Sequence, residues 1–211
     1  MPIERVQYNE GWQREYITLD KEDKLCFTYK PFPSNLSLPS LNKIPCIPGY
    51  HTEVSTLIPA WIKSASQALQ QGLILLIDYG YPEHEFYHPE RKTGTLTCHH
   101  RHKTNHDPLW LPGCQDITAH VNFTQVAEAA LHYDLELEGY CHQAALLMNL
   151  GITELPLQEE TQQAFKTSQA LKQLLMPQEM GEKFKAIGLG KGLLQKPLCF
   201  KEIDQRHYLF K

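Results

Sequence analysis

Leu73-Ile74-Leu75-Leu76-Ile77-Asp78-Tyr79-Gly80 carries five apolar residues without alternation, then an acid, an aromatic and a glycine. A strand with one wet face alternates, so an unbroken apolar run bounded by turn residues is the pattern of a strand covered on both faces of a parallel sheet. Upstream, from Val54, the apolar positions Leu57, Ile58, Trp61, Ile62, Ala65, Ala68 and Leu69 recur at helical spacing. Ser55 suits the cap, Pro59 falls in the first turn and Gly72 can end the helix. The pair is an α-to-β unit.

Toward the N-terminus the spacing predicts a small meander: Ile3 to Tyr8, Trp12 to Leu19 and Leu25 to Tyr29. Turns fall at Asn9-Glu10-Gly11 and Asp20-Lys21-Glu22-Asp23. Pro31, Pro33, Pro39, Pro45 and Pro48 then predict an irregular loop from Pro31 to Tyr50, since each proline removes a ladder donor. Residues 80–116, rich in His and Pro, read as one long irregular segment, a kind of loop that in compact domains usually carries function. Beyond it come a helix capped at Asn122 or Thr124, an alternating strand at Leu135 to Glu138, and helices near Gln143–Leu150 and Glu159–Met176. A last strand lies near Phe184–Leu189. Strands alternating with helices predict an α/β sheet with an N-terminal β appendage. Residues 1–211 are taken as a single domain, with meander and Pro-rich loop at 1–50 and the sheet portion at 51–211.

The chain has 211 residues, 42% of them hydrophobic, enough for a core that needs neither disulfide nor metal. Twenty Lys and Arg against 24 Asp and Glu argue against a nucleic-acid binder. No apolar run exceeds five residues, so no membrane span is expected, and Met1-Pro2-Ile3-Glu4-Arg5 has no signal-peptide layout. Six scattered cysteines without a CxxC pair read as reduced thiols of a cytoplasmic protein.

Three signals compete for the chemistry. His84, His88, Cys98, His99, His100, His102, His106 and Asp107 are metal ligands by type, yet lack the paired spacing of a structural zinc site; no metal is assigned. Gly188-Leu189-Gly190-Lys191-Gly192 imitates a phosphate loop, but Pro197 and the end of the sequence leave no helix for it to open, so it reads as a turn after the last strand. Cys98 and Cys114 lack a nucleophile motif. The third signal is positional: in open α/β sheets the ligand crevice lies beyond the carboxyl ends of the strands. Asp78, Tyr79, Glu53, Asp116 and His120 can converge there, although each alone also has a structural reading as a turn, dipole or core residue.

The stretches Leu75 to Pro82, His106-Asp107-Pro108, Pro112 to Phe123, Met180 to Lys185 and Glu53-Val54-Ser55 together resemble the MidA-type methyltransferases. These are class I, S-adenosylmethionine (SAM)-dependent enzymes, among them a mitochondrial complex I assembly factor that methylates an arginine. The resemblance implies the C-terminal portion of a Rossmann-like fold with the meander as an insertion. It also implies SAM as cofactor of the complete enzyme and a protein substrate, such as a respiratory-complex subunit.

By the same resemblance Met1 to Val6 follows the family's fourth strand, so the GxGxG loop and the ribose-binding acid are expected to be missing. The cofactor-binding residues stay unassigned, and the chain alone is expected to bind SAM poorly. Sulfonium and guanidinium are both cationic; two unit charges about 4 Å apart repel by roughly 4 kcal/mol at an effective dielectric of 20. Carboxylates should therefore line the pocket, with a base or anionic acceptor to localise the arginine lone pair. Asp78, Asp116 and His120 are the catalytic candidates; Glu53, Tyr79, His106 and Asp107 are the substrate-binding candidates. The rival readings are a non-catalytic protein-binding module without the cofactor half and a metal-dependent hydrolase. Missing sheet neighbours also predict self-association of the isolated chain.

Overall fold

The computed structural model describes residues 2–32, 42–101, 103–154 and 162–211. Where the sequence reading takes one domain, the chain forms two compact units, Met1–Ile58 with His84–His120, and Pro59–Glu83 with Val121–Lys211.

The first unit is built on an antiparallel sheet of β1 (Glu4–Tyr8), β2 (Trp12–Leu19), β3 (Leu25–Pro31) and β4 (Tyr50–Val54), in the order β3-β2-β1-β4. Its hairpin turns pass through positive φ at Glu10 (56°) and Gly11 (150°), then at Asp23 (58°), of which Gly11 and Asp23 are residue types that tolerate it. The Asp20 carboxylate closes the second turn by accepting from the backbone N–H groups of Glu22 and Lys24, at 2.7 and 3.0 Å. β4 is absent from the sequence reading, because Thr52 and Glu53 are both buried and the segment therefore does not alternate. Most of the Pro-rich loop, residues 33–41, lies outside the described residues.

The segment read as irregular is more ordered than expected. After the short helix α2 (Glu83–Phe86), it holds a three-stranded antiparallel sheet of β6 (Thr97–His100), β7 (Lys103–Asn105) and β8 (Asp116–Thr118), in the order β7-β6-β8. Strands of three or four polar residues have too little periodicity to show in sequence.

The second unit centres on β5 (Gly72–Tyr81). It is preceded by α1 (Ile58–Ala68) and followed by β9 (Val121–Asn122), α3 (Phe123–His132), β10 (Glu136–His142), α4 (Gln143–Asn149), α5 (Gln162–Leu175) and β11 (Phe184–Lys191). The sheet order is β10-β11-β5-β9. The parallel, doubly covered β5 is corrected here: it runs antiparallel to β11 from Tyr79↔Phe184 to Gly72↔Lys191, and parallel to β9 only at Gly80↔Val121 and Tyr81↔Asn122. Leu75 and Ile77 stand 39% and 43% exposed on one face.

Helix α1 begins at Ile58 rather than near Val54, because Tyr50–Val54 is strand. The Ser55 hydroxyl donates to the Pro2 carbonyl at 3.0 Å. Gly72, with φ at 140°, opens β5 four residues past the end of α1. The glycine stretch is also corrected: Gly188 to Lys191 lies within β11 and is not a turn. A Cβ at Gly188 or at Gly139 of β10 would strike the buried Phe200 ring, so these glycines let that ring sit flat on the sheet.

Candidate active site

Five predicted site residues, Glu53, His106, Asp107, Asp116 and His120, lie in the first unit and meet two fates. β4 delivers the Glu53 side chain into the interior, where the residue is 1% exposed. Its Oε2 accepts from the Thr95 backbone N–H at 2.8 Å and from the Thr95 hydroxyl at 2.9 Å, and its Oε1 accepts from the Leu96 N–H at 3.1 Å. A buried carboxylate is tolerable only when its lone pairs are occupied in this way. The approach requires Gly94, whose φ is 74° and whose Cβ position would coincide with the Glu53 carboxylate.

The clamped segment then gathers two histidines. The Thr95 hydroxyl accepts from the His120 backbone N–H at 3.1 Å, and His106 Nδ1 lies 3.1 Å from the Leu96 carbonyl. Glu53, His106 and His120 are therefore joined through Thr95 and Leu96. Thr95, buried at 6% exposure, is the site residue that sequence reasoning missed; the neighbouring Gly94, a residue suited to positive φ, was the available signal.

Asp107 and Asp116 stand outside that knot. The Asp107 carboxylate accepts from the Leu109 N–H at 2.9 Å, a turn-forming bond, and Asp116 pairs with His99 at the exposed edge of β8. The Tyr50 hydroxyl donates to the His88 carbonyl at 3.2 Å, and burial makes it a weaker acid, its pKa pushed up to about 12. Burial, then the nearby Asp107, raises the Cys98 thiol above its ordinary value, the opposite of an activated nucleophile.

Asp78 and Tyr79 belong to the second unit, near the carboxyl end of β5. Asp78 Oδ1 accepts from the Tyr79 N–H at 2.8 Å, and the Tyr79 ring lies 3.9 Å, centroid to centroid, from Phe184. Lys185, opposite Asp78 in register, donates to the Glu182 carbonyl and sits over the Tyr81 ring at 5.9 Å. Among the described residues no group of three or more His, Cys, Asp or Glu side chains is placed to hold a metal ion, and no helix is long and apolar enough to cross a membrane.

Comparison with known proteins decides the family. Residues 1–141 match the model described as putative S-adenosyl-L-methionine-dependent methyltransferase. The chain belongs to that family. Curated relatives include the protein arginine methyltransferase NDUFAF7, mitochondrial, of Rattus norvegicus, 29% identical over 197 residues, and of Homo sapiens, 28% identical over 201. These alignments take in 87% and 90% of this chain but 42% of each relative, so the chain spans less than half the length of the curated relatives it matches. Two solved Burkholderia thailandensis chains are 35% identical, with TM-scores of 0.92 and 0.90 over 98% of this chain and 56% and 55% of theirs. The second holds S-adenosyl-homocysteine.

SAM is thus the family's cofactor, and the two glycine-bearing strands β11 and β5 offer no opening for it at Gly188, Gly190 or Gly80. The glycine stretch of β11 is filled by neighbouring side chains, Gly188 by Phe200 and Gly190 by Glu138. Gly80 is likewise closed by the Val121 carbonyl and the Phe123 ring. Neither leaves backbone N–H groups open to a ligand at a helix start.

Proposed function

We propose that this chain is the acceptor-side, C-terminal portion of a SAM-dependent protein methyltransferase, with an arginine of a partner protein as acceptor and the meander unit as an insertion in a Rossmann-like fold. The match to a chain holding S-adenosyl-homocysteine, with a TM-score of 0.90 over 98% of this chain, carries the reading. The names of the curated relatives support arginine as the acceptor. In this reading Asp78 and Asp116 are the carboxylates available to offset cationic charge, each within its own unit, and His120 is the group suited to accept or orient a proton. Tyr79, His106 and Asp107 contact the substrate, while Glu53 holds Thr95 and Leu96 beneath the two histidines. The proposal keeps the protein in the cytoplasm, a reducing compartment in which its six cysteines remain free thiols. It also includes association of isolated chains through the exposed side of β5.

A second reading, a non-catalytic protein-binding module, is supported by the closed glycines Gly188, Gly190 and Gly80. Tritiated SAM separates the two. The 211-residue chain is incubated with a protein extract, alone and with the part of the Burkholderia thailandensis relative that it does not match. Label recovered in methylarginine only from the mixture is expected. Label in lysine or histidine contradicts the arginine assignment, and a mixture that binds SAM without transferring label supports the binding module.

A further inference from the structure

The turn that carries His106 and Asp107 is closed by Asp107 itself, whose carboxylate accepts from the Leu109 N–H at 2.9 Å. Two half-buried amides then brace it further. Asn105 ends β7 and Gln115 lies just ahead of β8, and together they close a ring through the Asp107 backbone. The Asp107 N–H donates to Asn105 Oδ1 at 2.9 Å, Asn105 Nδ2 donates to Gln115 Oε1 at 3.0 Å, and Gln115 Nε2 donates to the Asp107 carbonyl at 2.9 Å. An N–H needs an oxygen and a carbonyl needs a donor, so the two backbone groups fix the orientation of both amides.

His106, held beside this ring, is an exposed residue. Its Nδ1 lies 3.1 Å from the Leu96 carbonyl, which has no proton to give, so Nδ1 carries the hydrogen and the lone pair of the neutral imidazole is on Nε2. Leu96 is fixed in turn, its N–H donating to the buried Glu53. Among the described residues neither His106 Nε2 nor Asp107 Oδ2 has a hydrogen bond or an ion pair. An imidazole lone pair and an anionic oxygen on consecutive residues suit a cation with several N–H donors. A guanidinium spreads five over a plane, whereas an ammonium offers three from one point.

We propose that Asn105 and Gln115 are positioning residues, which hold the His106 ring as its Nδ1–H tautomer and present Nε2 and Asp107 Oδ2 as a paired acceptor for the arginine guanidinium of the protein substrate. The arginine rests on the methyltransferase reading; the tautomer and its brace do not. A loose imidazole divides between two tautomers, so a ring that must offer one lone pair needs a second layer of hydrogen bonds to set it.

The test uses the 211-residue chain without SAM, so its outcome is separate from that of methyl transfer. Proton–nitrogen NMR of the imidazoles at about pH 8, where an unperturbed ring is neutral, separates protonated from bare ring nitrogens. The His106 signals are identified by their loss in His106→Leu, at an exposed position. A protonated Nδ1 and a bare Nε2 are expected, and Asn105→Ala and Gln115→Ala should each bring in the Nε2–H form. N-acetyl-argininamide, N-acetyl-lysinamide and acetate are then titrated and followed at the Asp107 and Leu109 backbone N–H signals. The arginine amide should bind saturably, about tenfold more weakly in Gln115→Ala, the loss of one hydrogen bond to a charged group, and not measurably in His106→Leu. A protonated Nε2 with a bare Nδ1 in the wild type overturns the proposal. So does a tautomer unchanged in both alanine variants, which would make the amides a turn brace only. Absence of saturable arginine binding overturns it, as does tighter binding of the lysine amide or of acetate. Transfer of label by the mixture with SAM, without arginine binding here, removes this proposal and leaves the methyltransferase reading standing.

Discussion

At the scale of single residues, three donors close on the Glu53 carboxylate, and Gly94 is what lets them approach. Gly94→Ala combines a strained positive φ with a collision at the carboxylate, so it should cost about 1–3 kcal/mol in denaturant unfolding. Glu53→Gln is expected to cost a similar amount, about 1–3 kcal/mol, because one amide N–H₂ would face N–H donors that need an acceptor. If both variants unfold at the wild-type midpoint, the clamp does not hold the 94–96 segment. Glu53 was legible as a candidate from its place just ahead of a helix. Its partners were not, because Thr95 lies 42 residues away and nothing local announces so distant a contact.

At the scale of elements, the helix cap was legible and the glycine stretch misled. Asn122 Oδ1 accepts from the Gln125 N–H at 3.1 Å, as its type and spacing suggested, and Asn122→Ala should cost about 1 kcal/mol. Gly188 and Gly139 instead make room for Phe200, a demand set by a side chain far along the sequence. The strand β4 escaped notice for a related reason: its polar Thr52 and Glu53 are buried by contacts that the segment itself does not encode.

The C-terminal tail is tied to β10 by Asp204. Its carboxylate accepts from the Tyr140 and Arg206 N–H groups, both at 3.2 Å, and from Lys196 Nζ at 2.9 Å. Burial works against its charge, but Lys196, the two N–H groups and Arg206 outweigh it and hold the acid below its ordinary value of 3.8. A depressed folded pKa stabilises above the unfolded pKa and ceases to do so as pH falls through the folded one. Wild-type stability should therefore fall more steeply than that of Asp204→Asn as pH drops below about 4. Parallel acid profiles would assign the tail's anchorage to other groups.

At the scale of the molecule, the α/β character and the family were legible, whereas the division into two units was not. The division depends on residues 84–120 joining the first 58 residues, a pairing that a linear pattern does not contain. Among the described residues β5 meets β9 over only two residue pairs and leaves Leu75 and Ile77 exposed. Concentration-dependent association in sedimentation velocity is expected, and Ile77→Lys should reduce it; a wild-type monomer at every concentration would remove β5 as a contact surface. The central claim, that this chain supplies the acceptor side and not the cofactor cradle, is tested most directly by isothermal titration with SAM. Saturable binding only when the complementary part of the Burkholderia thailandensis relative is present is the expected result. Tight binding to the 211-residue chain by itself would contradict it.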